Sequence, residues 1–149
     1  MKFPKYVGRR IILRIPSSKE LKEFDNQVEK YPNVRDAFDT KGRNGKYEFD
    51  YVVIKDKSYN LIGIIKISRV KEYAYINICI PNEAFRIRYG TEALHKFIKQ
   101  LDDCTTRKLY KLRYLYLAEN NSIIETYKRE RPEMFTKTDD RIIRIKETK

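Results

Sequence analysis

Tryptophan is absent from this chain of 149 residues, and histidine, cysteine and methionine are scarce, with one, two and two residues. A structural zinc site needs four ligands, mostly cysteine and histidine, in spaced pairs. The two cysteines, Cys79 and Cys104, lie far apart and have no second ligand cluster near them. We therefore expect no bound metal, and we expect both thiols to be reduced and structural, as in a cytoplasmic protein.

Long apolar runs are also missing. No stretch approaches the roughly 20 residues that span a bilayer, and residues 1–10 contain no apolar segment typical of a secretory signal. We therefore expect a cytoplasmic protein without membrane contact. Internal repeats, low-complexity tracts and linkers are absent as well, so residues 1–149 are predicted to form a single domain.

Positive charge is abundant, because 33 lysines and arginines face 21 aspartates and glutamates, for a net charge of +12. Such a charge attracts polyanions such as nucleic acid, the ribosome or a phosphorylated cofactor. The basic residues are dispersed along the chain without a block of five or six. A lysine-rich background would give the same charge, so composition leaves the partner open.

Apolar periodicity predicts the order β-α-α-β-β-β-α-β-α-β. The first helix begins at the capping box formed by Ser17 and Glu20. Gly63 lies within a strand pattern and indicates a bulge or a close approach there. Strand patterns cover residues 11–15, 47–54, 61–70, 73–80, 112–118 and 141–146, and later helices are predicted at residues 34–38, 90–103 and 122–129.

Residues 73–118 form a strand, a helix and a strand, which predicts a right-handed crossover and a parallel strand pair. The remaining strands are joined by short turns, as in an antiparallel meander. The expected fold class is α/β (α+β), with a mixed, mostly antiparallel central sheet and helices on both faces.

The segment from the strand at residues 73–80 to the helix predicted at Gly90 has the features of an anion site. A helix N-terminus presents unpaired N–H groups and partial positive charge. Arg86 and Arg88 flank the predicted loop, and Gly90 lets a ligand approach the backbone. This pattern predicts a binding site for the pyrophosphate of a nucleotide-like cofactor. The alternative is an ordinary turn with solvated arginines.

Several segments resemble the GNAT superfamily of acetyl-CoA-dependent N-acyltransferases. Residues 8–14 look like the opening strand of the branch that includes ribosomal-protein N-terminal acetyltransferases, and residues 61–63 look like that family's third strand. Residues 89–94, YGTEAL, match the cofactor-binding helix, and Asn120 with Tyr127 resembles the N-x6-Y pattern of the last helix. The resemblance covers almost the whole chain.

The resemblance implies an N-acetyltransferase that moves an acetyl group from acetyl-CoA to a primary amine of a small molecule or a protein. Two parallel strands that separate at their C-terminal ends would expose backbone groups to the pantetheine arm, and the backbone of residues 86–91 would hold the pyrophosphate. The residues expected to bind the cofactor are Ile78, Ile80, Arg86, Ile87, Arg88, Tyr89, Gly90, Thr91 and Asn120.

Two residues are candidates for proton transfer. Tyr127 would lie near the cofactor sulfur as a general acid, and its alternative role is a core tyrosine. Glu83 is the carboxylate nearest the loop and could act as a base, with a solvated loop residue as the alternative. His95 is expected to be exposed and inert. Other carboxylates considered as bases are Glu48, Asp50 and Glu72.

The cofactor loop departs from the family pattern Q/R-x-x-G-x-G/A. Phe85 stands at the first position and Arg88 at the first glycine, while Gly90 keeps the second. Arg88 either replaces the attraction that the glycine-rich backbone gives to the pyrophosphate or blocks the pyrophosphate site. The asparagine of the N-x6-Y pattern could also align at Asn121 instead of Asn120. The alternative function is a catalytically inactive GNAT-fold module that binds nucleic acid, the ribosome or another acidic partner. Expected partners are acetyl-CoA and an amine acceptor, with an acidic macromolecule and a second copy of the chain as further candidates.

Overall fold

The computed structural model describes residues 3–30, 48–106 and 111–145. Within these ranges the chain forms one seven-stranded sheet and three α-helices. The strands are β1 (Tyr6–Val7), β2 (Ile11–Arg14), β3 (Glu48–Asp56), β4 (Leu61–Val70), β5 (Tyr73–Cys79), β6 (Tyr114–Leu117) and β7 (Ile142–Arg144). The helices are α1 (Ser18–Glu29), α2 (Glu83–Thr106) and α3 (Ser122–Glu130), and a 3-10 turn (Pro132–Met134) follows α3.

The seven strands lie side by side in the order of the sequence. Every neighbouring pair is antiparallel except β5 and β6, which run parallel with Tyr73 opposite Tyr114 and Ile76 opposite Leu117. Helix α2 makes the crossover between these two strands. The predicted mixed, mostly antiparallel sheet with its parallel pair is confirmed. The predictions at residues 34–38 and for a loop at residues 40–46 lie outside the described residues.

The sheet carries a hydrophobic core on each face, because successive side chains of a strand point to opposite sides. On one face, Phe24 and Val28 of α1 pack with Ile64 and Cys79. On the other face, α2 and α3 cover the larger core, which includes Phe97. Helices therefore lie on both faces, as predicted.

Both cysteines are buried and neither forms a disulfide. Burial raises the pKa of Cys79 to about 12, so the thiolate, which is the reactive form, is scarce at neutral pH. Cys79 is therefore a packing residue of the α1 face.

Gly63 allows β4 and β5 to approach each other closely. A Cβ atom at this position would lie 2.3 Å from the carbonyl oxygen of Cys79 and 2.7 Å from Cγ1 of Ile80. The pairing with β3 also shifts here, between Ile54 and Lys55. Gly63 thus marks both a close approach and an irregularity of the ladder, the two alternatives indicated by the sequence.

The predicted capping box is present at the start of α1. Ser17 Oγ accepts the N–H of Glu20 at 3.2 Å, and Glu20 Oε1 accepts the N–H of Ser17 at 2.9 Å. The same carboxylate contacts Arg14 of β2 at 2.6 Å and Lys55 of β3 at 2.7 Å. Glu20 therefore ties α1 to two strands.

Protein stability is expected to fall in acid because of Glu20. Burial disfavours the carboxylate, but hydrogen bonds from Arg14, Lys55 and Ser17 outweigh burial and hold the pKa of Glu20 well below its usual range. A lowered folded-state pKa contributes stability above about pH 4.3, the unfolded value, and loses it as the pH falls towards the folded value. The free energy of unfolding in urea should therefore drop below about pH 4, by up to about 1.4 kcal/mol per pH unit.

The variant Glu20→Gln, measured the same way, should show a shallower acid dependence than the wild type. Glu23 lies on the same helix but is exposed, so Glu23→Gln should keep the wild-type dependence. Equal acid slopes for the wild type and Glu20→Gln would contradict the assignment.

Helix α2 begins at Glu83, seven residues before the predicted start near Gly90. Asn82 accounts for the early start, because its side-chain Oδ1 accepts the N–H of Phe85 at 3.2 Å and its backbone carbonyl accepts that of Arg86 at 2.9 Å. Asparagine is a favoured N-cap residue. The prediction of a loop up to Gly90 was therefore wrong.

Candidate active site

Strands β5 and β6 separate at a defined point in the middle of the sheet. Their pairing ends with Ile76 opposite Leu117, and the N–H of Ala118 donates to the carbonyl of Ile76 at 3.0 Å. Beyond this point β5 continues to Cys79, which pairs with Ile64 of β4, whereas β6 has ended. The pairing therefore stops before the C-terminal end of β5, which is where the parallel strands are predicted to separate.

Asn121 joins the start of α3 to β5, beyond the point where the β5–β6 pairing ends. Its Nδ2 donates to the carbonyl of Ile78 and to Oδ1 of Asn77, each at 2.8 Å. Its Oδ1 accepts the N–H groups of Ile123 and Ile124 at 3.0 and 3.3 Å, so Asn121 also caps α3. One side chain thereby fixes the start of α3 against the edge of β5.

Asn120, the residue predicted to contact the cofactor, is exposed and has a left-handed backbone with φ of 55°. The asparagine that contacts the edge of β5 is thus Asn121, the alternative to Asn120 in the sequence analysis.

The carbonyl groups expected to receive a pantetheine arm already have side-chain partners. The carbonyl of Ile78 accepts from Asn121, and the carbonyl of Ile80 accepts from Nε of Arg86 at 3.2 Å. The N–H of Ile78 donates to Oδ1 of Asn77 at 3.0 Å. A ligand that pairs with this edge must share the second lone pair of each carbonyl or displace these side chains.

The backbone of residues 86–91, which the sequence analysis expects to hold a pyrophosphate, is part of a helix. These residues lie inside α2, where each N–H donates to the carbonyl four residues earlier. Gly90 serves helix packing instead, because a Cβ atom there would lie 3.1 Å from Cγ1 of Ile123 in α3. Ile87 and Thr91 belong to the same helix, and the side chain of Ile87 is 79% exposed.

The two predicted phosphate-binding arginines have different surroundings. Arg86 is half-buried and donates to the carbonyls of Ile80 and Pro81, so it closes the turn between β5 and α2. Arg88 is exposed, with its guanidinium carbon 5.3 Å from the ring centroid of Tyr89. Arg86 therefore supports the backbone, and Arg88 remains available for an anion.

Arg10 joins Arg88 at the start of α2. Its guanidinium carbon lies 5.1 Å from the ring centroid of Tyr89, and it donates to the carbonyl of Arg88 at 3.0 Å and contacts Glu92 at 3.1 Å. We call Arg10, Arg88 and Tyr89 the arginine corner. The arginine corner thus holds two guanidinium groups beside the carboxylates of Glu92 and Asp56, and a guanidinium group is suited to a phosphate.

A pocket of about 240 Å³ opens where β5 and β6 separate, and we call it the divergence pocket. Its lining residues come from β4, β5, β6 and the residue after β6, and they are Lys66, Ser68, Tyr75, Ile76, Asn77, Tyr116, Leu117 and Ala118. The lining contains aromatic rings, an amide, a hydroxyl and an ammonium group. No carboxylate is among these residues.

No protein-family model and no curated protein sequence matches the chain. Solved structures do match it. A protein of Sphaerobacter thermophilus described as an acetyltransferase has a TM-score of 0.63 and 15% identity, over 87% of this chain and 82% of that one. The ribosomal L7/L12 α-N-protein acetyltransferase RimL has a TM-score of 0.61 and 13% identity, over 86% and 77%.

A spermidine N-acetyltransferase of Vibrio cholerae, solved with CoA and spermine, has a TM-score of 0.53 and 16% identity, over 74% of this chain and 71% of that one. The chain has the GNAT fold. The resemblance drawn from the sequence is thus confirmed at the level of the fold. On this GNAT fold the end of the β5–β6 pairing and Asn121 lie at the C-terminal part of β5, and the arginine corner lies on α2 and the turn before β2.

The last helix of this GNAT fold buries Tyr127 completely. Its hydroxyl lies 2.9 Å from Nδ1 of His95 on α2. Burial raises the pKa of Tyr127 to about 12, and burial followed by the charges of Arg131 and Lys99 lowers the pKa of His95. Both groups are therefore neutral at pH 7. The direction of this hydrogen bond follows the histidine tautomer, and the tautomer with its proton on Nδ1 donates to the tyrosine oxygen and leaves the hydroxyl hydrogen for another acceptor.

His95 was predicted to be exposed and inert, and this prediction was wrong. The imidazole is half-buried, with its ring centroid 5.8 Å from that of Tyr127. The helical pattern of α2 places His95 beside its apolar stripe, but only the packing of α3 against α2 brings the two residues together. No signal in the sequence links them.

Three of the candidate bases, Glu83, Glu72 and Asp50, are not among the residues that line the divergence pocket. Glu83 is exposed on the first turn of α2, and Glu72 pairs with Arg113 at 2.9 Å in a turn. Asp50 is half-buried in β3, and Glu48 is the first residue of that strand. In the part of the chain that the structure describes, no helix is long and apolar enough to cross a membrane, and no group of three or more histidine, cysteine or acidic residues could hold a metal.

Proposed function

We propose that the protein is a GNAT-type N-acetyltransferase that transfers the acetyl group of acetyl-CoA to a primary amine. The observation that carries the proposal is the divergence of β5 and β6, which leaves the carbonyl edge of β5 and a pocket at the centre of the sheet. Ligands of open sheets bind beyond the carboxyl ends of strands. The fold is shared with solved acetyltransferases, including one described with CoA.

The residues present would bind acetyl-CoA in two places. The amide-rich pantetheine arm would pair with the edge of β5 near Ile78, where Asn121 supplies a further amide. The phosphates would bind to the arginine corner, because backbone N–H groups of residues 86–91 are used within α2. Side chains thus take over the role of a glycine-rich turn.

The transfer needs little covalent chemistry from the protein. The amine nitrogen attacks the thioester carbonyl, the C–S bond breaks, and the amine proton is lost to solvent. Positioning of the two substrates supplies much of the rate. Tyr127 would donate its hydroxyl hydrogen to the sulfur as negative charge develops there, and we retain Glu83 as a base acting through water.

One observation favours a second function, a non-catalytic binding module. Helix α2 replaces the loop that would hold pyrophosphate, and Glu83 in its first turn adds negative charge where a phosphate would approach. The net charge of +12 and the arginine corner would then serve an acidic macromolecule such as RNA.

Acetyl-CoA binding separates the two functions. A ligand that binds only the folded state stabilises it by about 2.7 kcal/mol at 100 times its Kd. Acetyl-CoA at about 1 mM should therefore raise the melting temperature of the protein. When a primary amine is added, the protein should convert acetyl-CoA to free CoA. No shift and no CoA release would overturn the enzyme. Salt-sensitive RNA binding without acetyl-CoA binding would establish the module.

Arg88→Ala is expected to weaken acetyl-CoA binding by about 10-fold, the lower end for losing a hydrogen bond to a charged group. Calorimetric titration of wild type and variant measures this change. Arg9 is also exposed and basic but lies outside the arginine corner, so Arg9→Ala is the matched control and should bind like the wild type.

The variant Arg88→Gly tests the opposite role for the same residue. If it binds acetyl-CoA more tightly than the wild type does, Arg88 obstructs the site and the proposed contact is wrong. Arg86→Ala should instead lower stability, because Arg86 holds the carbonyls of Ile80 and Pro81.

A further inference from the structure

The divergence pocket opens on the face of the sheet that carries α1. Directly paired residues of neighbouring strands share a face, and Asn77 pairs with Lys66 as Tyr75 pairs with Ser68. Cys79, two residues after Asn77, packs against α1 on this face. An acceptor would thus reach the divergence from this side, opposite the helices α2 and α3.

Four tyrosines cover this face beside the pocket, and we call Tyr73, Tyr75, Tyr114 and Tyr116 the tyrosine ladder. Tyr73 and Tyr114 stack with centroids 5.6 Å apart and planes 16° apart, and Tyr75 and Tyr116 stack at 5.1 Å and 21°. Tyr73 also contacts Tyr116 diagonally at 5.8 Å. The rings therefore form a continuous aromatic surface that ends at the pocket.

Tyr75 is the member of the tyrosine ladder best placed to receive a ligand. It lines the divergence pocket, and 48% of its surface remains exposed. Aromatic rings stack on one another in offset geometry at such distances. A flat ring bound against Tyr75 would extend the stack already formed with Tyr116.

Charged groups of both signs surround the pocket, with the carboxylate of Asp139 near Tyr116. Lys66 lines it, and Arg144 of β7 lies opposite Tyr114 at the far end of the tyrosine ladder. Among the described residues that line the pocket there is no carboxylate. A polyamine with several ammonium groups needs acidic partners, so this lining disfavours it.

We propose that the acceptor is a primary amine carried on a flat aromatic ring, which stacks on Tyr75 and presents its amine at the divergence of β5 and β6. This inference rests on the proposed function and names the substrate class of the same site. The neutral amine nitrogen bonds to the acetyl carbon and the C–S bond breaks. The nitrogen gives up one proton to solvent and the departing sulfur takes up one proton, so CoA leaves as the thiol.

Three amines test the ring. 2-Phenylethylamine carries a flat ring, 2-cyclohexylethylamine carries a puckered ring of the same carbon count, and spermidine carries no ring and three positive charges. The value of kcat/KM should be about 2- to 10-fold higher for the phenyl than for the cyclohexyl compound, the range for an aromatic pair. Spermidine should be the poorest substrate of the three.

Substitutions at Tyr75 test the position. Tyr75→Leu should raise KM for 2-phenylethylamine by about 10-fold and remove the preference over the cyclohexyl compound. Tyr75→Phe should keep the wild-type KM for 2-phenylethylamine and the preference over the cyclohexyl compound. The KM for acetyl-CoA should stay unchanged in both variants. Tyr59 is 70% exposed in the turn between β3 and β4, outside the pocket, so Tyr59→Leu is the control and should behave as the wild type.

The outcomes separate the inference from the proposed function. If acetyl-CoA binds but spermidine is preferred, or if Tyr75→Leu has no effect, the aromatic acceptor is overturned and the acetyltransferase stands. If acetyl-CoA does not bind, the enzyme is overturned, and melting curves with 2-phenylethylamine alone decide the ring site. A shift that is lost in Tyr75→Leu supports the ring site, and no shift overturns it.

Discussion

Gly63→Ala is expected to lower the free energy of unfolding by about 3 kcal/mol, the upper end of the usual cost of an overfilled core. The added methyl group would lie 2.3 Å from the carbonyl oxygen of Cys79, and a backbone atom in the middle of a sheet cannot move aside cheaply. The strain would act on β5 at Cys79 and Ile80, so acetyl-CoA binding should be lost together with stability. Urea denaturation measures the first effect and titration the second.

Gly90→Ala adds the same methyl group and is the matched control. Its nearest contact would be Cγ1 of Ile123 at 3.1 Å, a side-chain atom that can move. Alanine is also better than glycine inside a helix by about 1 kcal/mol, which offsets the crowding. We expect Gly90→Ala to stay within about 1 kcal/mol of the wild type. Equal unfolding midpoints for Gly63→Ala and the wild type would contradict the close approach of β4 and β5.

Tyr127→Phe is expected to lower kcat by about 10- to 100-fold without changing the KM for acetyl-CoA. Its pKa of about 12 keeps Tyr127 protonated at neutral pH, so the hydroxyl can donate a hydrogen bond to the sulfur as thiolate character develops. A hydrogen bond to a charged group contributes about 1.5–3 kcal/mol, which gives this range of rates. A selective loss of kcat is the signature of an interaction made in the transition state.

The partner of the hydroxyl provides the control for Tyr127. His95→Ala removes the group that Tyr127 contacts at 2.9 Å but leaves the hydroxyl in place, so it should retain most of kcat. If Tyr127→Phe instead lowers stability and leaves kcat intact, Tyr127 is a core residue alone. Steady-state kinetics and urea denaturation on the same preparations decide between the two.

The strand order and the parallel pair could be predicted because their signals are local. Apolar alternation marks the strands, and the length of the segment from residue 73 to residue 118 forces a crossover. The predicted start of α2 was too late because Gly90 and the resemblance to the family loop favour a start near residue 90, whereas the N-cap residue Asn82 favours a start at residue 83. That signal was present in the sequence, since asparagine followed by an acidic residue is typical of a helix start.

The side-chain partners in the site could not be predicted in the same way. Asn121 and Asn120 differ in their backbone conformation, and only the left-handed φ of Asn120 shows which amide turns towards β5. The contact between His95 and Tyr127 joins two helices, and the two residues are 32 positions apart in the chain. Such pairs depend on how helices pack, and one sequence carries no record of that packing.

The parallel pair also sets an order in which the protein can fold. Strands β3, β4 and β5 are joined by the short turns at residues 57–60 and 71–72, so their contacts are local and form rapidly. Pairing of β6 with β5 must wait until residues 80–113 have closed a long loop through α2. The divergence pocket is created only by this late step. A chain that stalls before it would have its meander in place and still lack the surface on which the proposed chemistry depends.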